Sequence, residues 1–181
     1  MKCVLTTFVS CLIAIVPIAF ANVGEDTHFN SHCLEQIKKK IPGAFEACTI
    51  LGYDANEAFV RNVSDIDAVK VFLDSGIDIN VTDQGGYFTA LTRAAYIGRT
   101  ETVKFLLKQE GLNVNFAPRG GSTALIRASL SGHLEVVKLL LSMPSIRVNV
   151  RDESGDTALS AAKRNGYTGI VDMLRRSGAV E

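Results

Sequence analysis

The sequence has no tryptophan, only four prolines and three histidines, and no excess of either charge across its 181 residues. Each scarcity excludes something. Four prolines and fifteen glycines are too few for a low-complexity linker protein. Nineteen basic residues balance nineteen acidic ones, which argues against a nucleic-acid binder held by bulk charge and against an acidic disordered tail. There is no G-x-S-x-G, H-E-x-x-H, G-x-G-x-x-G or P-loop pattern, so no catalytic constellation and no cofactor are expected. His28 and His32 have a spacing that presents two metal ligands on one helix face, but no second ligand pair follows, and no metal site is expected. The length suits a single domain.

What is present begins with an unusual N-terminus. Lys2 precedes an uncharged stretch from Cys3 to Ala21, with its strongest apolar run at Cys11–Phe20, then Pro17 and a closing Ala19-Phe20-Ala21. Positive start, apolar middle and A-x-A end are the order of a secretory signal peptide, here residues 1–21, cleaved after Ala21. An uncleaved membrane anchor is the alternative, since the stretch is nearly long enough to span a bilayer. Cleavage would remove Cys3 and Cys11 and leave Cys33 and Cys48, which in an exported protein read as one disulfide. The pair would tie a helical hairpin in a cap segment, residues 22–55, and closing such a loop stabilises by roughly 3 kcal/mol in the chain-entropy model. Two buried free thiols are the alternative if the protein is not exported. Lys38-Lys39-Lys40 reads as a solvated helix end.

Charge is uneven along the rest. Asn22–Asp83 carries eleven acidic and five basic residues, while Gln84–Glu181 carries eight acidic and thirteen basic. The balanced total hides a dipolar molecule.

Internal repetition decides the architecture. A shift of 34 residues aligns Thr89, Thr123 and Thr157, each opening Thr-Ala-Leu, and then Ala94, Ala128 and Ala162, and Gly98, Gly132 and Gly166. The same shift aligns Val69, Val103, Val137 and Val171, which places a fourth unit upstream. Asn80, Asn115 and Asn149 recur at spacings of 35 and 34. Within one unit, Thr123 caps a helix whose inner face holds Leu125, Ala128 and Ser129, and Gly132 ends it in a left-handed turn. A second helix follows with Leu134, Val137 and Leu140/Leu141 facing in, then a short extended stretch at Ile146–Val150. Such a unit cannot bury its own apolar face, whereas several in a row can. Asn62-Val-Ser and Asn80-Val-Thr match the glycosylation sequon, but Asn80 belongs to the repeated series and is expected to bond a loop instead.

The residues Asp83…Gly86…Thr89-Ala-Leu…Ala94-Ala95…Gly98, Gly121-Ser-Thr-Ala-Leu…Ala128…Gly132-His133 and Gly155-Asp-Thr-Ala-Leu…Ala161-Ala162…Gly166 resemble the ankyrin repeat, over roughly Ala58 to Ala179. The family's usual Pro is Ala90, Ala124 and Ala158 here, and its usual His is Thr92, Ile126 and Ser160, which removes a preset helix-start dihedral and an inter-repeat hydrogen bond. The resemblance implies an all-α solenoid at 56–181, with units at about 56–82, 83–117, 118–151 and 152–181. Ala58–Asp74 is an atypical first unit, and Arg175 and Arg176 give the last helix a polar face. The resemblance also places partner-facing positions at Tyr87, Phe88, Arg93, Tyr96 and Ile97 in the second unit. In the third they are Arg119, Arg127, Leu130 and Ser131, and in the fourth Glu153, Asp156, Arg164 and Asn165. Tyr87-Phe88 is expected to be an exposed aromatic pair, and Arg93 and Arg127 to stand side by side. Aromatics beside arginines are the usual composition of an interface hot spot. The reading is a monomeric, periplasmic or secreted, non-catalytic module that binds a protein partner with an acidic patch, and neither nucleic acid nor, after cleavage, membrane. By analogy it serves as an effector or a toxin-immunity protein, with an enzyme using the concave groove as the remote alternative.

Overall fold

The computed structural model describes residues 54–180. The expected signal peptide, the cap segment up to residue 53, the expected Cys33–Cys48 pairing, His28, His32 and the lysine run lie outside them. The described residues form eight short helices: α1 (Ala55–Arg61), α2 (Ile66–Asp74), α3 (Ala90–Tyr96), α4 (Thr100–Leu106), α5 (Ala124–Ser131), α6 (Leu134–Leu141), α7 (Ala158–Arg164) and α8 (Thr168–Arg176). They alternate as four helix-turn-helix units stacked in one row, with α3, α5 and α7 as adjacent inner helices and α4, α6 and α8 behind them.

Sequence dictates where each inner helix starts. Thr89, Thr123 and Thr157 are its N-caps, each accepting a backbone N–H three residues on. Two of the positions that lack the family's histidine contribute to capping. Thr92 and Ser160 accept the N–H of Thr89 and Thr157 in return, closing capping boxes. Ile126 has no hydroxyl, and α5 keeps only the one-way cap. The first unit opens with Asp54, whose carboxylate accepts from Asn56 and Glu57. The second helices of the later units have no side-chain cap at Arg99, His133 or Tyr167. Instead those three backbone N–H groups reach back to Ala94, Ala128 and Ala162 at 2.9–3.0 Å, around a glycine with positive φ.

The core is continuous. Ala90, Leu91, Ala94 and Ala95 of α3 face Ala124, Leu125 and Ala128 of α5, which in turn face Ala158, Leu159 and Ala162 of α7, all buried. Alanine at these positions lets the inner helices approach closely. Behind them lie Val103 and Leu106, then Val136, Val137 and Leu140, then Ile170 and Leu174. The first unit fills the same space with aromatics, Phe59 and Phe72 meeting edge-on at 5.9 Å. At the far end Arg175 and Arg176 are exposed, so the last helix ends the stack with a polar face. Two expectations require correction. Leu134 is 40% exposed, because it is the first residue of α6 and lies off the stripe formed by Val136, Val137 and Leu140. Ile146–Val150 is not extended: Val148 and Asn149 form a turn, which the asparagine side chain needs in order to reach the next loop.

Asparagines stitch neighbouring loops together. Asn80 donates to Gly111 C=O at 2.8 Å and accepts from Asn113 N–H at 2.8 Å. Asn115 repeats both bonds with Ser145 and Arg147, and Asn149 with Gly178 and Val180. Both sequon asparagines are thus engaged, Asn62 by donating to Ala58 C=O at 2.8 Å. On the opposite edge, hairpin tips join directly, with Arg119 N–H on Gly86 C=O at 2.8 Å and Glu153 N–H on Gly120 C=O at 3.1 Å. Between the first two units the buried Thr102 hydroxyl donates to Val63 C=O at 2.7 Å.

Two pairs of substitutions test this account. Gly132 has φ +78, and a Cβ there would lie 2.6 Å from the Tyr167 ring, whereas Gly111 has φ +76 and open space around it. Gly111→Ala should therefore cost only the dihedral, about 1 kcal/mol, and Gly132→Ala roughly 2 kcal/mol or more by denaturant unfolding. Asn115→Ala removes two inter-loop bonds and should cost about 1–2 kcal/mol, while Ser145→Ala, which loses nothing because only its carbonyl is used, should be nearly neutral.

Candidate protein-binding face

The inner helices and the hairpins before them form one side of the stack, and the residues there divide into three groups. The first is the hairpin of the second unit. Asp83 accepts the N–H groups of Tyr87 and Phe88 at 2.7 and 3.2 Å, and Asp83 N–H donates to Phe88 C=O at 2.8 Å. One carboxylate thereby fixes the direction of both aromatics. Tyr87 is 50% exposed, with the Arg119 guanidinium 5.9 Å from its ring centre. Phe88 is only half-buried beside it and packs on Tyr96 at 5.9 Å. The two do not form one exposed pair: consecutive residues of a hairpin point to opposite sides, so Tyr87 faces out while Phe88 faces the helices.

The second group gathers on Phe88. The Arg93 guanidinium, from α3, lies 5.4 Å from the ring centre, and that of Arg127, from α5, lies 4.9 Å from it. The expected neighbourhood of the two arginines is therefore present, with an aromatic ring as their common support. Their Nε atoms are closed off from solvent and have no hydrogen-bond partner. An unsatisfied buried donor costs about 1–3 kcal/mol, which cation–π attraction of about 1–2 kcal/mol offsets in part. Neither arginine has a carboxylate partner among the described residues, unlike the cations of the pairs Glu57–Arg61, Asp67–Lys70, Glu101–Lys104, Glu135–Lys138 and Asp156–Arg164. Tyr96 at the end of α3 is 42% exposed and completes the patch. Ile97 packs against the core, and Leu130 and Ser131 are half-buried in the last turn of α5.

The family model for ankyrin repeats, in three copies, matches residues 58–152. This chain belongs to the ankyrin-repeat family. No curated protein matches it. Ankyrin repeats are protein–protein interaction modules and in general non-catalytic scaffolds, and the side that carries Tyr87, Phe88, Arg93, Tyr96 and Arg127 is the inner side of this ankyrin stack.

The third group belongs to the fourth ankyrin unit and is self-satisfied. Arg164 donates to Asp156 at 2.6 Å, and the Ser160 hydroxyl donates to the same carboxyl group at 3.0 Å. Glu153 is tied to the preceding hairpin by accepting Gly120 N–H at 3.2 Å, and Asn165 donates to Ala161 C=O at 2.9 Å. Sequence reasoning assigned no bonding role to Asp83 or to its counterpart Asp152, which accepts the N–H groups of Ser154 and Asp156 and the Ser122 hydroxyl at 2.9–3.0 Å. The Asp-x-x-Gly spacing of Asp83–Gly86 and Asp152–Gly155 was the available signal. Among the described residues no cluster of three or more His, Cys, Asp or Glu could hold a metal ion.

The hydrogen bonds from Arg164 and Ser160 hold the Asp156 carboxyl below the ordinary carboxylate range. A depressed folded-state value means that its stabilisation is complete above the unfolded value, about 3.9, and is lost as pH falls through the lower folded value. The pair is partly exposed, so its worth is about 0.2–1 kcal/mol. Asp156→Asn should lower stability by that amount between about pH 5 and 8, and the difference from the unmodified protein should shrink in urea titrations as pH falls below about 4.

Proposed function

We propose that this ankyrin-repeat protein works in an exported compartment, periplasmic or secreted, as a non-catalytic module that binds a protein partner through the inner face of its middle repeats. The observation that supports this most is the patch of Tyr87, Phe88, Tyr96, Arg93, Arg119 and Arg127. Its tyrosines are half-exposed, and Arg93 and Arg127 lack carboxylate partners on a face where Asp156 and Arg164 of the fourth unit pair with each other. Tyrosine and arginine give large contact area at low conformational cost, which is the composition of interface hot spots. Uncompensated positive charge favours a partner whose contact surface is acidic. The signal-like order of residues 1–21 supports export. Effector and toxin-immunity roles use the same surface and the same compartment.

The test is cross-linked capture from the producing cell with tagged full-length protein, followed by mass measurement of the captured bait. The bait should begin at Asn22, and one partner should be lost with Tyr87→Ala/Tyr96→Ala at unchanged melting temperature. The truncation should weaken binding at least tenfold. Bait that retains Met1 would overturn export. Capture that ignores the tyrosines would overturn the inner-face assignment.

A further inference from the structure

We infer that Arg93 and Arg127, mounted on Phe88, form a carboxylate receptor that reads an acidic residue next to an apolar one in the partner's polypeptide. The inference rests on the inner-face reading and gives its recognition chemistry. Three observations carry it.

First, both guanidinium groups converge on one ring, at 5.4 and 4.9 Å from its centre, although they come from different repeats. Arginine at this register occurs only in the two middle units: the fourth has buried Ala161, and Phe88 is replaced there by Asp156, which is paired with Arg164. The receptor is thus a local feature of one junction, not a property of every repeat.

Second, the Nε atoms are shielded and unpartnered. A ligand therefore meets the outer edge of each guanidinium, where two parallel N–H groups match the two oxygens of a carboxylate. Phe88 is the positioning residue. It fixes the plane of each guanidinium without consuming a donor, so the fork is oriented before the ligand arrives.

Third, the surroundings favour an extended polypeptide over a lone anion. Tyr96 is half-exposed and packs on the ring that carries the arginines, while Tyr87, on the outer side of the same hairpin, is half-exposed under Arg119. An apolar side chain adjacent to the carboxylate has aromatic surface to cover. Asp83, at the start of the same hairpin, is occupied by the Tyr87 and Phe88 N–H groups, and it forms no ion pair with either arginine.

The experiment follows the arginine Nε–Hε resonances of the full chain, which the shielding should protect from solvent exchange. The probes are acetyl-Glu-Leu-Glu-Leu-amide, its Gln-Leu-Gln-Leu counterpart and inorganic phosphate. The glutamate peptide should shift the Arg93 and Arg127 signals saturably, with affinity falling as salt is raised, and the glutamine peptide should not. Arg93→Lys/Arg127→Lys keeps the charge but removes the fork and should weaken the glutamate peptide at least tenfold. Phe88→Leu should do the same with the arginines intact, and thermal melts should show both variants folded. Equal response to the two peptides, or lysines that bind as well as arginines, would overturn the receptor. Phosphate binding more tightly than the peptide would overturn the choice of carboxylate. The wild-type peptide comparison needs no variant and decides the matter even where a substitution unfolds the chain. If no probe shifts the signals while partner capture still depends on Tyr87 and Tyr96, the inner face stands and the receptor falls. If capture ignores the tyrosines as well, both fall.

Discussion

Everything in this molecule depends on contact between neighbouring repeats. Helices of seven to nine residues are too short to persist alone in water, and each has only one apolar face. Burial comes from the next unit along, and the closest approach runs through the alanines of α3, α5 and α7. Alanine there serves two ends, since it favours the helix and lets the adjacent backbone come near. Hydrogen bonds then fix the register that burial alone leaves loose. Hairpin tips bond on one edge and asparagines on the other, so neighbouring units are held at two separated points and cannot rotate freely against each other.

That rigidity has a consequence for the inner face. A flexible arginine on an ordinary surface folds back onto a nearby carboxylate or extends into water. Arg93 and Arg127 are instead held by a ring that belongs to the hairpin, and the hairpin is held by Asp83. The arrangement keeps two shielded donors unsatisfied, which a structure selected for stability alone would avoid. The fourth unit shows the alternative within the same chain: there an aspartate takes the place of the aromatic, and it pairs with arginine. The contrast between units of one stack singles out the junction of the second and third units as the place where packing leaves two arginines without a carboxylate.

The replaced family positions show how local chemistry adjusts. Thr92 and Ser160 lack an imidazole, but their hydroxyls return a bond to the capping threonine, so helix starts remain defined without the usual proline and histidine. Ile126 does not, and α5 relies on its burial between two inner helices instead. His133 keeps the structural role its glycine-histidine setting implies, with Nε2 3.0 Å from Tyr96 C=O and its ring against Gly98. That contact links the start of α6 to the end of α3, and so supports the patch from behind.

Period, helix starts, glycine turns and the asparagine series were all legible in the sequence, because each depends on residues close in the chain or on a repeat that recurs unchanged. The family followed from them. Which aromatic faces out was not legible: Tyr87 and Phe88 are adjacent, and only the Asp83-tied hairpin sends one to solvent and the other under two arginines. Nor did periodicity reveal that Asp156 and Arg164 satisfy each other while Arg93 and Arg127 do not. Charge pairing depends on side-chain reach across repeats, and a repeat alignment lists equivalent positions without measuring the distances between unlike ones. The sequence determined the stack; tertiary packing decided which of its charges were paired and which were left without a counter-charge.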